Sequence, residues 1–155
     1  MHKPLFVVTT CNVNDTDRYI PNEDDVWNEV KNIYDCIDPD GGWTKDHFAD
    51  ALKEMFGTSV TCDGSVFTVP QKAVKEYLYR MAVKIRTYII EKPLTAGTIC
   101  GWKNGLMYGL FEEGSHFIVD GASEYSIDFA SGLLASRNND KNVTFRLEAV
   151  YDVHF

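Results

Sequence analysis

The chain contains no C-x-x-C pair, no G-x-S-x-G elbow, no P-loop, no dinucleotide-type glycine pattern and no H-E-x-x-H. The chain therefore lacks the linear signatures that announce zinc and redox, hydrolase, nucleotide-binding and metalloprotease sites. Their absence lowers the expectation of an enzyme without removing it, because many active sites carry no linear motif. Low-complexity segments and internal repeats are also lacking. So is any apolar run near the roughly 20 residues that a membrane span needs. The apolar part of MHKPLFVVTTC is too short for a secretory signal and runs into the first strand. Without such a signal, the sequons at Asn14 and Asn142 read as coincidence. Basic residues are scarce: 15 Lys and Arg against 23 Asp and Glu leave a net charge of −8. Phosphate contact draws on Lys and Arg, so direct nucleic-acid binding is not expected. The four cysteines, Cys11, Cys36, Cys62 and Cys100, are widely spaced. They read as reduced thiols of a cytoplasmic protein rather than a disulfide or zinc framework.

What is present is a globular composition, 45% apolar and 13% aromatic, over 155 residues. That length fits one domain, residues 1–155, and needs no metal or disulfide to hold it together. Leu5 to Cys11 reads as a first strand. Val26, Val30, Ile33, Tyr34 and Ile37 fall on one helical face. Phe48, Leu52, Met55 and Phe56 form the stripe of a second helix, which Gly57 ends. Asp63-Gly64 predicts a hairpin turn that pairs Val60 with Phe67. A long helix from about Gln71 to Glu91 carries Val74, Leu78, Met81 and Ile85 on its core face.

From Thr98 the pattern turns to β, with a second hairpin turn at Asn104-Gly105 and a third turn at Glu112-Glu113-Gly114. Tyr125, Ile127 and Phe129 alternate as a strand. Gly132 to Asp140 is ambiguous between a helical turn and a loop. The last segment alternates most cleanly. Val143, Phe145, Leu147, Ala149, Tyr151, Val153 and Phe155 face the core, with Thr144, Arg146, Glu148, Asp152 and His154 toward water. The expected fold is α+β: a mostly antiparallel sheet with two hairpins, a C-terminal meander and a long last strand. About three helices pack on one face, and neither half of the chain buries its apolar face alone.

Four constellations invite chemistry. The stretch DCIDPDGGWTKDHF resembles a calcium loop, with Asp38, Asp40, Gly41, Trp43 and Thr44 at suitable positions. Cys36 and His47 then occupy the two closing ligand positions. A turn between two elements, stopped by Pro39 and restarted by Thr44, explains the same letters, so no metal or cofactor is expected. His116 and Asp120, with Cys100, suggest a cysteine hydrolase or ligand pocket. Four residues along one strand separate His116 from Asp120 by roughly 13 Å, too far for a dyad. Asp152 and His154 share the polar side of the last strand and read as solvation of a sheet face.

The fourth constellation is charge. Asp15 to Asp50 holds eleven acidic residues and only Arg18, Lys31 and Lys45, a balance of 11 − 3, or −8. Residues 70–92 carry the opposite sign, and Tyr79, Val83 and Ile90 lie off the core stripe of their helix beside Lys72 and Arg86. The favoured expectation is a non-catalytic interaction or inhibitor protein that could imitate nucleic acid. Glu23, Asp24, Asp25, Glu29, Asp35, Asp38 and Asp40 would meet a basic protein partner. Tyr79, Val83 and Ile90 would form a second contact or a self-association surface. The alternative is an enzyme or small-ligand binder using His116, Asp120 or Cys100.

Overall fold

The computed structural model describes residues 2–11, 13–91, 115–135 and 141–154. Among these residues seven strands form one open sheet: β1 (His2–Thr9), β2 (Cys36–Asp38), β3 (Thr61–Asp63), β4 (Val66–Pro70), β5 (His116–Val119), β6 (Ala122–Tyr125) and β7 (Asn142–His154). Four helices accompany it: α1 (Glu23–Val30), α2 (Lys45–Phe56), α3 (Gln71–Glu91) and α4 (Ser126–Ala135). The strand order is β3-β4-β7-β1-β5-β6, with β2 added beside the far end of β7. Only the β1–β5 pair is parallel. The fold is thus α+β, as the alternation of apolar residues predicts.

Three helices, α2, α3 and α4, cover one face of this sheet. Phe6, Phe48, Phe67, Phe117, Phe129 and Phe145 are fully buried there. Phe48 lies at the centre, 4.8 Å from both Phe6 and Phe67. Tilted and edge-on pairs of this kind each add about 0.5–1.5 kcal/mol beyond the area they bury. The opposite face is covered as well. Val26, Val30 and Tyr34, from α1 and the turn after it, pack on Leu5, Val7, Ile118, Tyr151 and Val153.

The two faces share β7 because of a bulge. Val7 pairs with Ala149 but Val8 with Leu147, so Glu148 is an extra residue in the ladder. Val143, Phe145 and Leu147 therefore point to the three-helix face, whereas Tyr151 and Val153 point to α1. The expectation that β7 has one core face and one wet face is corrected here. Its apolar residues change sides at Glu148, and both sides are covered. Asp152 and His154, two apart, are thereby placed on the three-helix side of the sheet.

Local chemistry explains the element ends. Asn22 caps α1: its side chain accepts from the Asp25 N–H at 3.0 Å, and the Asp25 carboxylate accepts from the Asn22 N–H at 3.1 Å. The helix stops at Val30, earlier than the stripe through Ile37 suggests. The Ile33 and Tyr34 amides both turn back to the Val30 carbonyl. The Asp35 N–H donates to the His154 carbonyl, which draws Cys36–Asp38 into the sheet as β2. Gly57 ends α2 at φ +79°.

Two further local readings change. The β3–β4 turn is Gly64-Ser65, with Cys62 opposite Phe67 and Asp63 opposite Val66. Gly64 at φ +58° supplies the first central position of a II′ turn. The segment Tyr125–Phe129 is not a strand. Tyr125 closes β6, and Phe129 and Leu133 are buried four apart on α4, which also takes in Gly132 to Ala135. The turns predicted at Asn104-Gly105 and Glu112-Glu113-Gly114 lie outside the described residues, as does Cys100. Among the described residues, no helix is long and apolar enough to cross a membrane.

Candidate functional site

The acidic segment wraps the α1 side of the sheet and then crosses to start α2. Glu23, Asp24, Glu29, Asp35, Asp38 and Asp40 are exposed, and among the described residues none of them makes an ion pair. None of the three cations of the segment forms an ion pair with one of its carboxylates among the described residues. Arg18 forms a two-point bond to Glu148, Nε to Oε1 at 2.6 Å and Nη2 to Oε2 at 2.7 Å. The Glu148 hydrogen bond holds the guanidinium pKa above its usual value. Lys31 donates to the Asn28 side chain and Lys45 to the Gly64 carbonyl. Asp25 differs from its neighbours. Besides capping α1 it accepts from the Tyr19 hydroxyl at 2.6 Å, which holds its carboxyl below the usual range.

Tyr79 and Val83 stand exposed on the outer side of α3, 72% and 44% accessible, beside an open groove lined by Lys72, Lys75, Glu76, Tyr79 and Arg80. Arg80 also ties α3 to the end of α2 by donating to the Met55 carbonyl at 2.6 Å. The Ile90 side chain lies outside the described residues.

His116 and Asp120 occupy different environments. His116 lies on the α1 face and is buried. Its Nδ1 is 2.7 Å from the Tyr34 hydroxyl, its Nε2 is 2.8 Å from Ser123 Oγ, and its ring stacks on Tyr125. Burial, helped by the Lys3 ammonium, pushes its pKa down to about 4. A neutral ring with both nitrogens engaged is a packing group of the α1 core. Asp120 sits in the tight β5–β6 turn at φ +48°, followed by Gly121 at +89°. There its carboxylate accepts from the Thr10 amide at 2.9 Å and from the Thr10 hydroxyl. Its role in that arrangement is to tie the end of β1 to the turn.

The most chemically dense corner was not assembled from the linear pattern. At the end of the sheet, His2 on β1 pairs with His154 on β7, and Cys36 on β2 pairs with the other side of His154. Asp152 lies one pleat inward and is only 4% exposed. Its Oδ2 accepts from His2 Nδ1 at 2.6 Å and from His154 Nε2 at 3.1 Å. Its Oδ1 accepts from Trp43 Nε1 at 2.9 Å. Burial alone would raise the Asp152 carboxyl, but the bonds from His2 and Trp43 outweigh it and hold the group below its usual range. Two imidazoles edge against each other, with ring centroids 3.9 Å apart.

The stretch that resembles a calcium loop supplies this corner's lid. Asp38 and Asp40 are exposed, and Asp38 Oδ1 accepts from the Asp40 N–H in a local turn. Gly41 lies against Asp152 so closely that a Cβ there would fall 2.0 Å from the Asp152 Cβ. The glycine and the turn at Gly42 (φ +85°) bring Trp43 over the carboxylate. The D-V-H spacing of Asp152 and His154 was a visible sign that they share a face. His2 was not readable as their partner, because it joins them only through pairing of the first and last strands. Neither a protein-family model, nor a curated protein, nor a solved structure matches this chain.

Proposed function

We propose that this chain is a non-catalytic binding protein whose acidic surface, residues 15–50, engages a protein partner with a basic face. The observation that carries the reading is the fate of its counter-ions. Arg18, Lys31 and Lys45 turn to Glu148, Asn28 and a backbone carbonyl, while Glu23, Asp24, Glu29, Asp35, Asp38 and Asp40 stay exposed and unpaired among the described residues. Fixed, un-neutralised carboxylates on a helix and its flanking turns attract a basic protein over long range and suppress approach to nucleic acid. Such a surface suits an inhibitor that occupies a phosphate-binding face. Asp25 serves as a cap that holds α1 in register. Tyr79 and Val83, with the basic rim of α3, are a second contact or a self-association surface. Exposed thiols at Cys11, Cys36 and Cys62 suit a reducing, cytoplasmic setting.

The test is affinity capture from the native host with the full chain and with a Glu23→Lys, Asp24→Lys, Glu29→Lys variant. Asp25 is left in place so that the cap survives. The reading expects a basic protein retained by the parent chain at 50 mM salt, lost by the variant, and released as screening rises at about 0.5 M salt. Retention of the same partner by the variant contradicts it.

A further inference from the structure

We propose that His2, Asp152 and His154 form a binding site for a divalent transition-metal ion of the zinc type, independent of the acidic surface. One nitrogen of each imidazole and one Asp152 oxygen lie within 4.8 Å of one another. Two nitrogens and a single carboxylate oxygen are a borderline donor set. It suits zinc and its neighbours rather than calcium or magnesium, which take mostly oxygen. Bonds of about 2.0–2.2 Å to a tetrahedral ion place such ligands about 3.3 Å apart. The present separations of 2.6 and 3.1 Å bracket His2 and His154 around one oxygen. Shifts of roughly 1 Å therefore suffice to replace the two bridging protons by an ion.

The surroundings are arranged as a metal site needs. The Trp43 indole fixes Oδ1 and so aims Oδ2 at the two rings, the orienting role that outer-shell partners play around metals. Asp152 is buried, on a strand paired on both sides. Its Cβ is pinned against Gly41. The His2 side chain is 64% exposed, so the ion has an entry path and an outward position for water. The ion would clamp β1 to β7 at the end where His2 and His154 pair.

The experiment is titration of the metal-free, untagged full chain with Zn2+ by calorimetry, and with Co2+ by visible absorption. Mg2+ serves as the comparison ion. Four variants accompany it: His2→Gln, on an exposed ring; His154→Gln, on a partly exposed one; Trp43→Phe; and a Cys11→Ser, Cys36→Ser, Cys62→Ser form that removes the described thiols. The proposal expects one Zn2+ per chain, a Co2+ ligand-field band, and no uptake of Mg2+. It expects the serine form to bind as the parent does, and each histidine variant to lose at least about tenfold in affinity. Trp43→Phe, which keeps all three ligands, should lose about tenfold. Three results would overturn it: no Zn2+ uptake, uptake lost with the cysteines, or uptake undiminished in both histidine variants.

Discussion

Polar groups enclosed by this fold and those left on its surface are treated in opposite ways. Asp152 is buried and takes three donors, from His2, His154 and Trp43. Glu148, also enclosed, takes the guanidinium of Arg18. His116 is enclosed as a neutral ring between Tyr34 and Ser123. On the α1 side, by contrast, Glu23, Asp24 and Glu29 face water with no counter-ion among the described residues. A chain with few cations has spent Arg18 inward, where an unpaired carboxylate is costly. The outer acids, cheap in water, are left bare. Enclosed groups should therefore respond to pH and to shape, and surface acids to salt.

The largest response is expected at His116. The unfolded ring takes a proton near 6.5, whereas the folded one does so only at about 4. Stability that His116 contributes is thus full above about pH 6.5 and is lost as pH falls toward about 4, by up to about 3 kcal/mol. Denaturant melts of the parent and of His116→Gln at pH 7 and pH 4.5 isolate the effect. The gap between the two proteins should narrow at the lower pH, and a constant gap would break this side of the comparison.

Gly41→Ala comes next. Its methyl must displace Asp152 or the turn that carries Trp43, and overpacking of this kind costs about 1–3 kcal/mol. Trp43 fluorescence should shift with it; an unperturbed melt and spectrum would mean that the lid is loose. Glu124 offers a smaller test. It is the exception among the enclosed groups: its Oε2 is buried with no hydrogen-bond partner among the described residues, and burial, with Asp128 and Asp120 nearby, raises its pKa. Ionising it disfavours the fold, so Glu124→Gln should stabilise at pH 7. That gain should fade as pH drops toward 4.5. The smallest effect on stability belongs to the surface: Glu29→Lys should change the melt by no more than about 0.5 kcal/mol, and Glu23→Lys or Asp24→Lys, in the first turn of α1, by about 1 kcal/mol at most. A large loss would show these acids to be structural.

Much of the fold was legible in the sequence because its signals are local. Phe48, Leu52, Met55 and Phe56 repeat at helical spacing, Gly57 stops their helix, and the alternation of Val143 to Val153 marks β7. The bulge at Glu148 has no local signature. It reverses which side every later residue of β7 faces, so Asp152 reads as surface when it is enclosed. Ile37 fits a helical stripe, yet it pairs with Val153 once Asp35 bonds to β7. His2 meets His154 across the whole length of the chain, and no spacing rule reaches that far. The acidic surface was readable from composition alone, because exposure is the default for charge. What the sequence could not say is that its cations bond Glu148, Asn28 and backbone carbonyls rather than the segment's carboxylates.

The central claim, a functional acidic face, is tested most directly by the affinity of the captured partner at two salt concentrations. Binding at 50 mM salt should weaken at least about tenfold by 0.5 M, as the screening length shrinks to a few ångströms, and the Glu23→Lys, Asp24→Lys, Glu29→Lys chain should bind weakly at both. Equal affinity at the two concentrations, or an undiminished variant, would contradict it.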